Sequence, residues 1–223
     1  MKLSFSSISN YLNCPKKFYE VNVTYNWRDS SFAAMAGSDI HEKIENYIKG
    51  KTDILEIPQD DRVVDIMQSL RAFYKDPQKY GVQIGVEEKF AVDENFKPVD
   101  YKDPKAVLRG KADLYIQDSL EFVITDWKSG KKRNNSLQAH IYGILLRPIV
   151  KTETFKCRFD YLDKGVGDTY SLRPQGLHYA EQIVKQVLSA KEFPERRNPL
   201  CAWCPVKSCS YWKEQAKREK SND

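Results

Sequence analysis

The segment spanning residues 106–128 constrains the fold more than any other. Two runs rich in branched and aromatic residues, 106–117 and 121–128, are separated by only Asp118, Ser119 and Leu120. A connection that short joins antiparallel neighbours, because parallel strands need a crossover of a dozen residues or more. If the chain turns at Ser119-Leu120, Asp113 and Asp126 stand opposite each other, and Lys128 follows two residues on, pointing to the same side. Two opposed carboxylates repel unless a cation lies between them. Hard oxygen ligands select Mg²⁺ or Mn²⁺, and Lys128 places a fixed charge beside the pair. Strict alternation would give the first strand a packing face of Leu108, Ala112, Leu114 and Ile116, and a polar face of Arg109, Lys111 and Asp113. Ordinary edge-strand aspartates are the bland alternative. The matched positions, with lysine two residues on, argue against it.

The remaining pattern surrounds this hairpin with helices. Ser6 or Ser7 can cap a first helix that stops near Cys14-Pro15, since proline disfavours helix at the residue before it. A second helix reads from 35 to 49, with Ile40, Ile44, Tyr47 and Ile48 on one side and Gly50 as its stop. A third reads from 60 to 74, with Val63, Ile66, Met67, Leu70 and Phe73 as its stripe. Further strands are expected at 83–92, 155–162 and 169–172, with helices at 136–147 and 177–190. This order predicts an α/β or α+β domain whose central sheet is sandwiched by helices. At 223 residues and 41% hydrophobic, the chain suits one domain with elaborations. A formal charge of +5 permits a polyanionic partner without demanding one. No apolar run approaches a membrane span and the N-terminus has no secretory h-region, which points to a cytoplasmic protein.

In a reducing compartment, clustered cysteines read as metal ligands sooner than as disulfides. Cys201, Cys204 and Cys209 form a compact C-x-x-C-x-x-x-x-C set, and Cys14, followed by Pro15, is the natural fourth ligand. Cys157 alternates with Phe155 and Phe159 and reads as a buried apolar residue. Spacing alone fits a zinc ion or a [4Fe–4S] cluster.

Four motifs in order resemble the PD-(D/E)XK nuclease superfamily, in particular its RecB-like branch. They are G-x-x-D at Gly110 and Asp113, D-x-K at Asp126, Trp127 and Lys128, Q-x-x-x-Y at Gln138 and Tyr142, and an upstream G-x-x-x-H at Gly37 and His41. The flanking cysteines are similar to those of the AddB-type nuclease domains and the CRISPR-associated four-cysteine exonucleases. The resemblance implies an α/β nuclease core, a central mixed sheet flanked by helices. It implies a single nuclease domain over 1–223, with 1–34 and 193–223 forming an iron–sulfur region and 35–192 forming a helical insertion and the core. His41, Asp113 and Asp126 are then metal ligands, joined by the Trp127 carbonyl. Lys128 acts on the attacking water and the phosphate, and Gln138 and Tyr142 hold the site and touch DNA. Cys14, Cys201, Cys204 and Cys209 hold [4Fe–4S], and Mg²⁺ or Mn²⁺ is the catalytic ion.

The implied activity is hydrolysis of DNA, as an exonuclease on single-stranded or free ends. Recombination, repair or CRISPR-type processing is the implied setting, with protein partners in such a complex. The alternatives are a site-specific endonuclease on the same scaffold, a non-catalytic DNA-binding subunit of a repair complex, and a zinc-ribbon adaptor. The last explains the cysteines but not the Asp–Lys–Gln–Tyr series. Taken singly, His41 beside Ile44 and Ile48 could be a satisfied core histidine, Glu45 a substitute ligand, and Tyr142 a packing residue. Glu87 or Glu88 matches a family glutamate on the preceding strand, and alternation does not say which one faces the site. Lys131, Lys132 and Arg133 lie between the Lys128 strand and the Gln138 helix; a solvated loop is the default reading of such a run, and its position at the mouth of the site favours phosphate contact. His140 and His178 read as surface residues.

Overall fold

The computed structural model describes residues 1–26, 32–53, 61–128, 132–152, 154–162 and 166–212. They group into two compact units, 31–181 on the one hand and 1–30 with 182–223 on the other. In the second of these the chain starts with α1 (Phe5–Asn13), α2 (Pro15–Phe18) and a π-turn, Tyr19–Val23. The N-cap of α1 is Ser4, not Ser6 or Ser7. Ser7 is its N3 partner, so the two serines form a capping box. Cys14 is extended ahead of Pro15, which separates α1 from α2. Both chain ends are zipped together here. Lys16 N–H donates to the Pro194 carbonyl at 3.2 Å, Arg196 Nη1 to the Leu12 carbonyl at 2.6 Å, and Tyr19 stacks on Phe193 at 4.8 Å.

The unit 31–181 carries α3 (Phe32–Ile48), α4 (Asp61–Lys75), β1 (Gln83–Val92), β2 (Pro98–Val99), β3 (Leu108–Gln117), β4 (Phe122–Lys128), α5 (Ser136–Leu146), β5 (Phe155–Tyr161) and β6 (Val166–Leu172). These strands form a six-stranded sheet in the order β2-β1-β3-β4-β5-β6. All pairs are antiparallel except β4–β5, whose crossover contains α5. The sheet is therefore mixed, and helices flank it. The 12-residue helix α6 (His178–Ser189) follows.

On one side, Ile44, Tyr47 and Ile48 of α3 and Met67 and Leu70 of α4 pack with Val86, Leu114 and Trp127. Helix α5 is mostly apolar and is buried along most of its length, from Gln138 to Leu146 apart from the half-buried His140. It lies so close to the sheet that a Cβ on Gly110 would sit 2.4 Å from Leu145 Cδ1, and one on Gly143 2.7 Å from Phe155 Cζ. The first glycine of G-x-x-D is thus a helix–strand contact.

The β3–β4 register follows the expected arithmetic, from Gln117 opposite Phe122 to Leu114 opposite Thr125. Asp118 closes the turn, accepting from the N–H groups of Leu120 and Glu121, each at 2.7 Å. The ladder stops one pair short of Asp113 and Asp126. There the Asp113 carboxylate accepts the Trp127 N–H at 2.9 Å in place of a backbone partner. Strict alternation along β3 fails at the same place. Ala112, Asp113 and Leu114 are buried in succession. Gly110 meets Leu145 of α5, whereas Leu114 packs with the α3–α4 layer. Leu108, Ala112, Leu114 and Ile116 therefore do not share one face. Across the β1–β3 ladder Val86 pairs with Leu114 and Glu88 with Ala112, and the intervening Glu87 and Asp113 are unpaired. Glu87 has φ +59°, a left-handed conformation that reverses the strand's side-chain parity.

Candidate active site

Four acidic or imidazole groups come together where the ladders break. The Glu87–Asp113 break places both side chains toward His41 on α3, whose Nδ1 lies 3.3 Å from Asp113 Oδ1 and 3.9 Å from Glu87 Oε1. Ligand atoms of His41, Glu87 and Asp113 all fall within 4.8 Å of one another. The other imidazole nitrogen, Nε2, donates to the Trp127 carbonyl oxygen at 3.0 Å. Asp126, on β4 beside Trp127, completes the group and is 4% exposed, as is Asp113.

Asp126 is held on both oxygens. Its Oδ1 accepts from Gln138 Nε2 at 2.7 Å and from the Tyr142 hydroxyl at 2.6 Å. Gln138 and Tyr142 are one turn apart on α5, which explains the Q-x-x-x-Y spacing. Its Oδ2 is buried and ion-paired with Lys128 Nζ at 2.7 Å. Lys128 also donates to Gln138 Oε1 at 2.9 Å and lies over the Phe159 ring at 5.5 Å. The amine is thus fixed between the carboxylate and the amide.

The electrostatics reflect three carboxylates in a small volume. Burial pushes the Asp113 carboxyl above its usual value and Asp126 adds to the rise, while His41 opposes it. Burial disfavours a charged His41, but its hydrogen bond to Asp113 and the nearby carboxylates outweigh this and raise its pKa. Burial, with Asp126 beside it, lifts the Tyr142 phenol well above its ordinary range, so it is a neutral donor. Lys111 is ion-paired with Glu87 and is likewise raised, that pairing overcoming its partial burial.

A hard divalent cation fits these donors. They are carboxylate oxygens, a backbone carbonyl and an imidazole, with ligand atoms of His41, Glu87 and Asp113 close enough to share one ion and the Trp127 carbonyl beside them.

Most sequence-derived candidates have a definite place. Asp113, Asp126, Lys128, Gln138, Tyr142, His41 and the Trp127 carbonyl converge. Gly37 lies in α3, but its surroundings fall outside the described residues. Glu45 forms its ion pairs with Lys49 and Lys51. Lys131 is outside the described residues, Lys132 pairs with Asp168 at 2.6 Å, and Arg133 is exposed. His140 is half-buried, its Nδ1 2.7 Å from the Ser136 carbonyl, and His178 is exposed. Of the pair Glu87 and Glu88, Glu87 faces the site. The parity reversal at Glu87 itself is why alternation could not choose. Lys111 lies beside Glu87, whereas strand alternation alone puts it only on a polar face. A lysine two residues before the first aspartate was its one available signal.

Cys14, Cys201, Cys204 and Cys209 line one pocket with Asn10, Asn13, Lys17, Arg196 and Trp212 among its other walls. Backbone N–H groups of Arg196 and Asn198 donate to the sulfurs of Cys14 and Cys201, each at 3.4 Å. Burial raises the Cys204 and Cys209 thiols. Cys157 is fully buried in β5, and burial holds its thiol well above the usual range.

Among the described residues, no helix is long and apolar enough to cross a membrane. No curated protein sequence matches the chain. A solved structure described as "Crystal structure of SSO0001" is similar with a TM-score of 0.48 and 14% identity, over 94% of this chain and 86% of that one. The sequence profile of the PD-(D/E)XK nuclease superfamily matches residues 2–209, spanning every motif of the site. With that match across nearly its whole length, the chain belongs to the PD-(D/E)XK nuclease superfamily, a group of metal-dependent phosphodiester hydrolases.

Proposed function

We propose that this protein is a divalent-metal-dependent DNA exonuclease acting on single-stranded ends, with a [4Fe–4S] cluster on its four clustered cysteines. The convergence of His41, Glu87, Asp113 and Asp126 beside Lys128 carries the catalytic part of this reading. His41, Asp113, Asp126 and the Trp127 carbonyl would hold Mg²⁺ or Mn²⁺, with Glu87 as a further ligand. When bound, the ion supplies Lewis acidity at the scissile phosphate and makes a nucleophile available near neutral pH. Lys128 presents a positive charge to phosphate oxygens, where charge develops in the transition state. Gln138 orients both Lys128 and Asp126, and Tyr142 donates to the same Asp126 oxygen as Gln138.

The cluster reading is supported by four thiols around one pocket and by N–H donors aimed at two of the sulfurs. A tetrahedral zinc ion, with Zn–S bonds of about 2.3 Å, is the alternative on the same four thiols, and the metal content of the purified protein separates the two. In this reading residues 1–34 and 193–223 form the cluster region, and its role is structural.

The test compares linear and circular single-stranded DNA with anaerobically purified protein, with Mn²⁺ or Mg²⁺ and with chelator. Loss of the linear substrate alone, abolished by chelator and by Asp126→Ala, is the expected result. Cleavage of the circle would replace an exonuclease with an endonuclease. An inert wild-type protein would overturn the hydrolase reading.

A further inference from the structure

Beyond the Glu87–Asp113 break, the exposed part of the β1–β3 surface is cationic. Lys89 and Lys111 are directly opposed cross-strand partners, and Arg109, opposite Ala91, is the diagonal neighbour of Lys89. Like charges directly opposed destabilise a sheet unless an anion lies between them. Among the described residues, the carboxylate ion-paired with one of these three cations is Glu87, on Lys111, and Glu87 belongs to the metal site. Lys89 is exposed, and the Lys111 side chain is 44% exposed. Both Lys89 and Arg109 lie over the ring of Tyr101, at 5.6 and 5.0 Å. Arg109 Nε is buried without a hydrogen-bond partner among the described residues, and Nη2 reaches the Asp103 carbonyl at 3.4 Å. A half-buried guanidinium held on an aromatic ring next to two opposed lysines is arranged to receive an anion at the end of its fork.

We infer that Lys89, Arg109 and Lys111, ordered around Tyr101, form a phosphate-binding track that carries the DNA backbone to the metal site. This rests on the nuclease reading and adds the substrate's path to it. Lys111, paired with Glu87, and Lys89 opposite it form the inner end, and Arg109 lies one step farther out on the same surface. The track reads charge and spacing, with no base-edge contacts, so it is indifferent to sequence.

The experiment measures affinity for a short fluorescent single-stranded oligonucleotide against salt, with chelator present to prevent cleavage. Lys89→Gln should make the slope of log affinity against log salt shallower by about 0.7, and Lys89→Gln with Arg109→Gln by about 1.4. Lys156→Gln, on β5, should leave the slope unchanged. Because Arg109 is half-buried, the exposed Lys89→Gln variant alone decides the matter if the double variant does not fold. A Lys89→Gln slope equal to that of wild type overturns the track. Mn²⁺ affinity, titrated with the metal alone, should be the same in Lys89→Gln and wild type, and a parallel loss would also overturn it. DNA hydrolysis by wild type with an unchanged slope removes the track and keeps the nuclease. A shallower slope in a protein that hydrolyses nothing does the reverse.

Discussion

Asp126 and Lys128 are two residues apart, yet their surroundings assign them different tasks. Lys128 Nζ, a protonated amine, has no lone pair to give a metal, and it is already pinned by Asp126 and Gln138. Lys128→Ala is therefore expected to slow cleavage by about 10²–10³ with Mn²⁺ affinity essentially retained. Titration of metal binding in parallel with single-turnover rates checks this, and affinity falling in step with rate would give Lys128 another role. His41 supports a pH prediction. Its raised pKa means that the metal-free folded state holds a proton more tightly than the unfolded chain does. That contribution is complete below pH 6.5, the ordinary histidine value, and is lost as pH rises through the elevated one. Asp113, also raised, works in the same direction from its ordinary 3.8 upward. The melting temperature of chelated protein should fall between pH 6 and 9, with a smaller fall in His41→Asn. Added Mn²⁺ should raise it most at the alkaline end.

At the scale of the element, the site is built from a defect in the sheet. Glu87 adopts a left-handed backbone that costs a non-glycine residue roughly 1 kcal/mol or more. Its reward is a carboxylate directed at His41 from a strand that would otherwise alternate past it. Two substitutions separate the backbone from the side chain. Glu87→Gly keeps the conformation without strain, and Glu87→Ala keeps the strain without the carboxylate. Both should lose activity, while Glu87→Gly should be more stable than Glu87→Ala by about 1 kcal/mol, measured by denaturant unfolding of chelated protein. Equal stabilities would mean that the strand relaxes to regular alternation when the carboxylate is gone. The tight fit of α5 is the other elemental constraint. Gly110 and Gly143 let the helix approach closely enough for Gln138 and Tyr142 to reach Asp126.

At the scale of the molecule, one compact unit is assembled from both ends of the chain. Hydrogen bonds from Lys16, Arg196 and Asn198 already hold those ends together. A cluster at the four cysteines would add a covalent clamp across a loop of nearly the whole chain. Cys14→Ala should bleach the visible absorption and lose iron as fully as Cys204→Ala, with a loss of several kcal/mol in stability. Cys157→Ala should keep its colour and lose about 1 kcal/mol or a little more, for a small buried side chain. A brown Cys14→Ala protein would remove Cys14 from the ligand set. A colourless wild-type protein with stoichiometric zinc would replace the cluster.

The sequence by itself determined what depends on short separations along the chain. The three-residue gap after Gln117 set the β3–β4 register, and the apolar periods placed α3, α4 and α5 close to their observed bounds. The i, i+4 spacing of Gln138 and Tyr142 put both on one helical face, and the run Phe155, Cys157, Phe159 foretold a buried cysteine. Local sterics and hydrophobic period dictate such features. What required the tertiary structure was long-range or irregular. The choice of Glu87 over Glu88, the parity reversal at Asp113 and the use of Asp113 to replace a ladder bond arise where three strands and α3 meet. The cationic strip of Lys89, Arg109 and Lys111 depends on β1–β3 pairing across about 20 residues, which no local period encodes. A strand's alternation is a backbone rule. It gives way here at the left-handed Glu87, where the His41–Asp113 contact and the Trp127 N–H bond to Asp113 stand in place of one ladder pair.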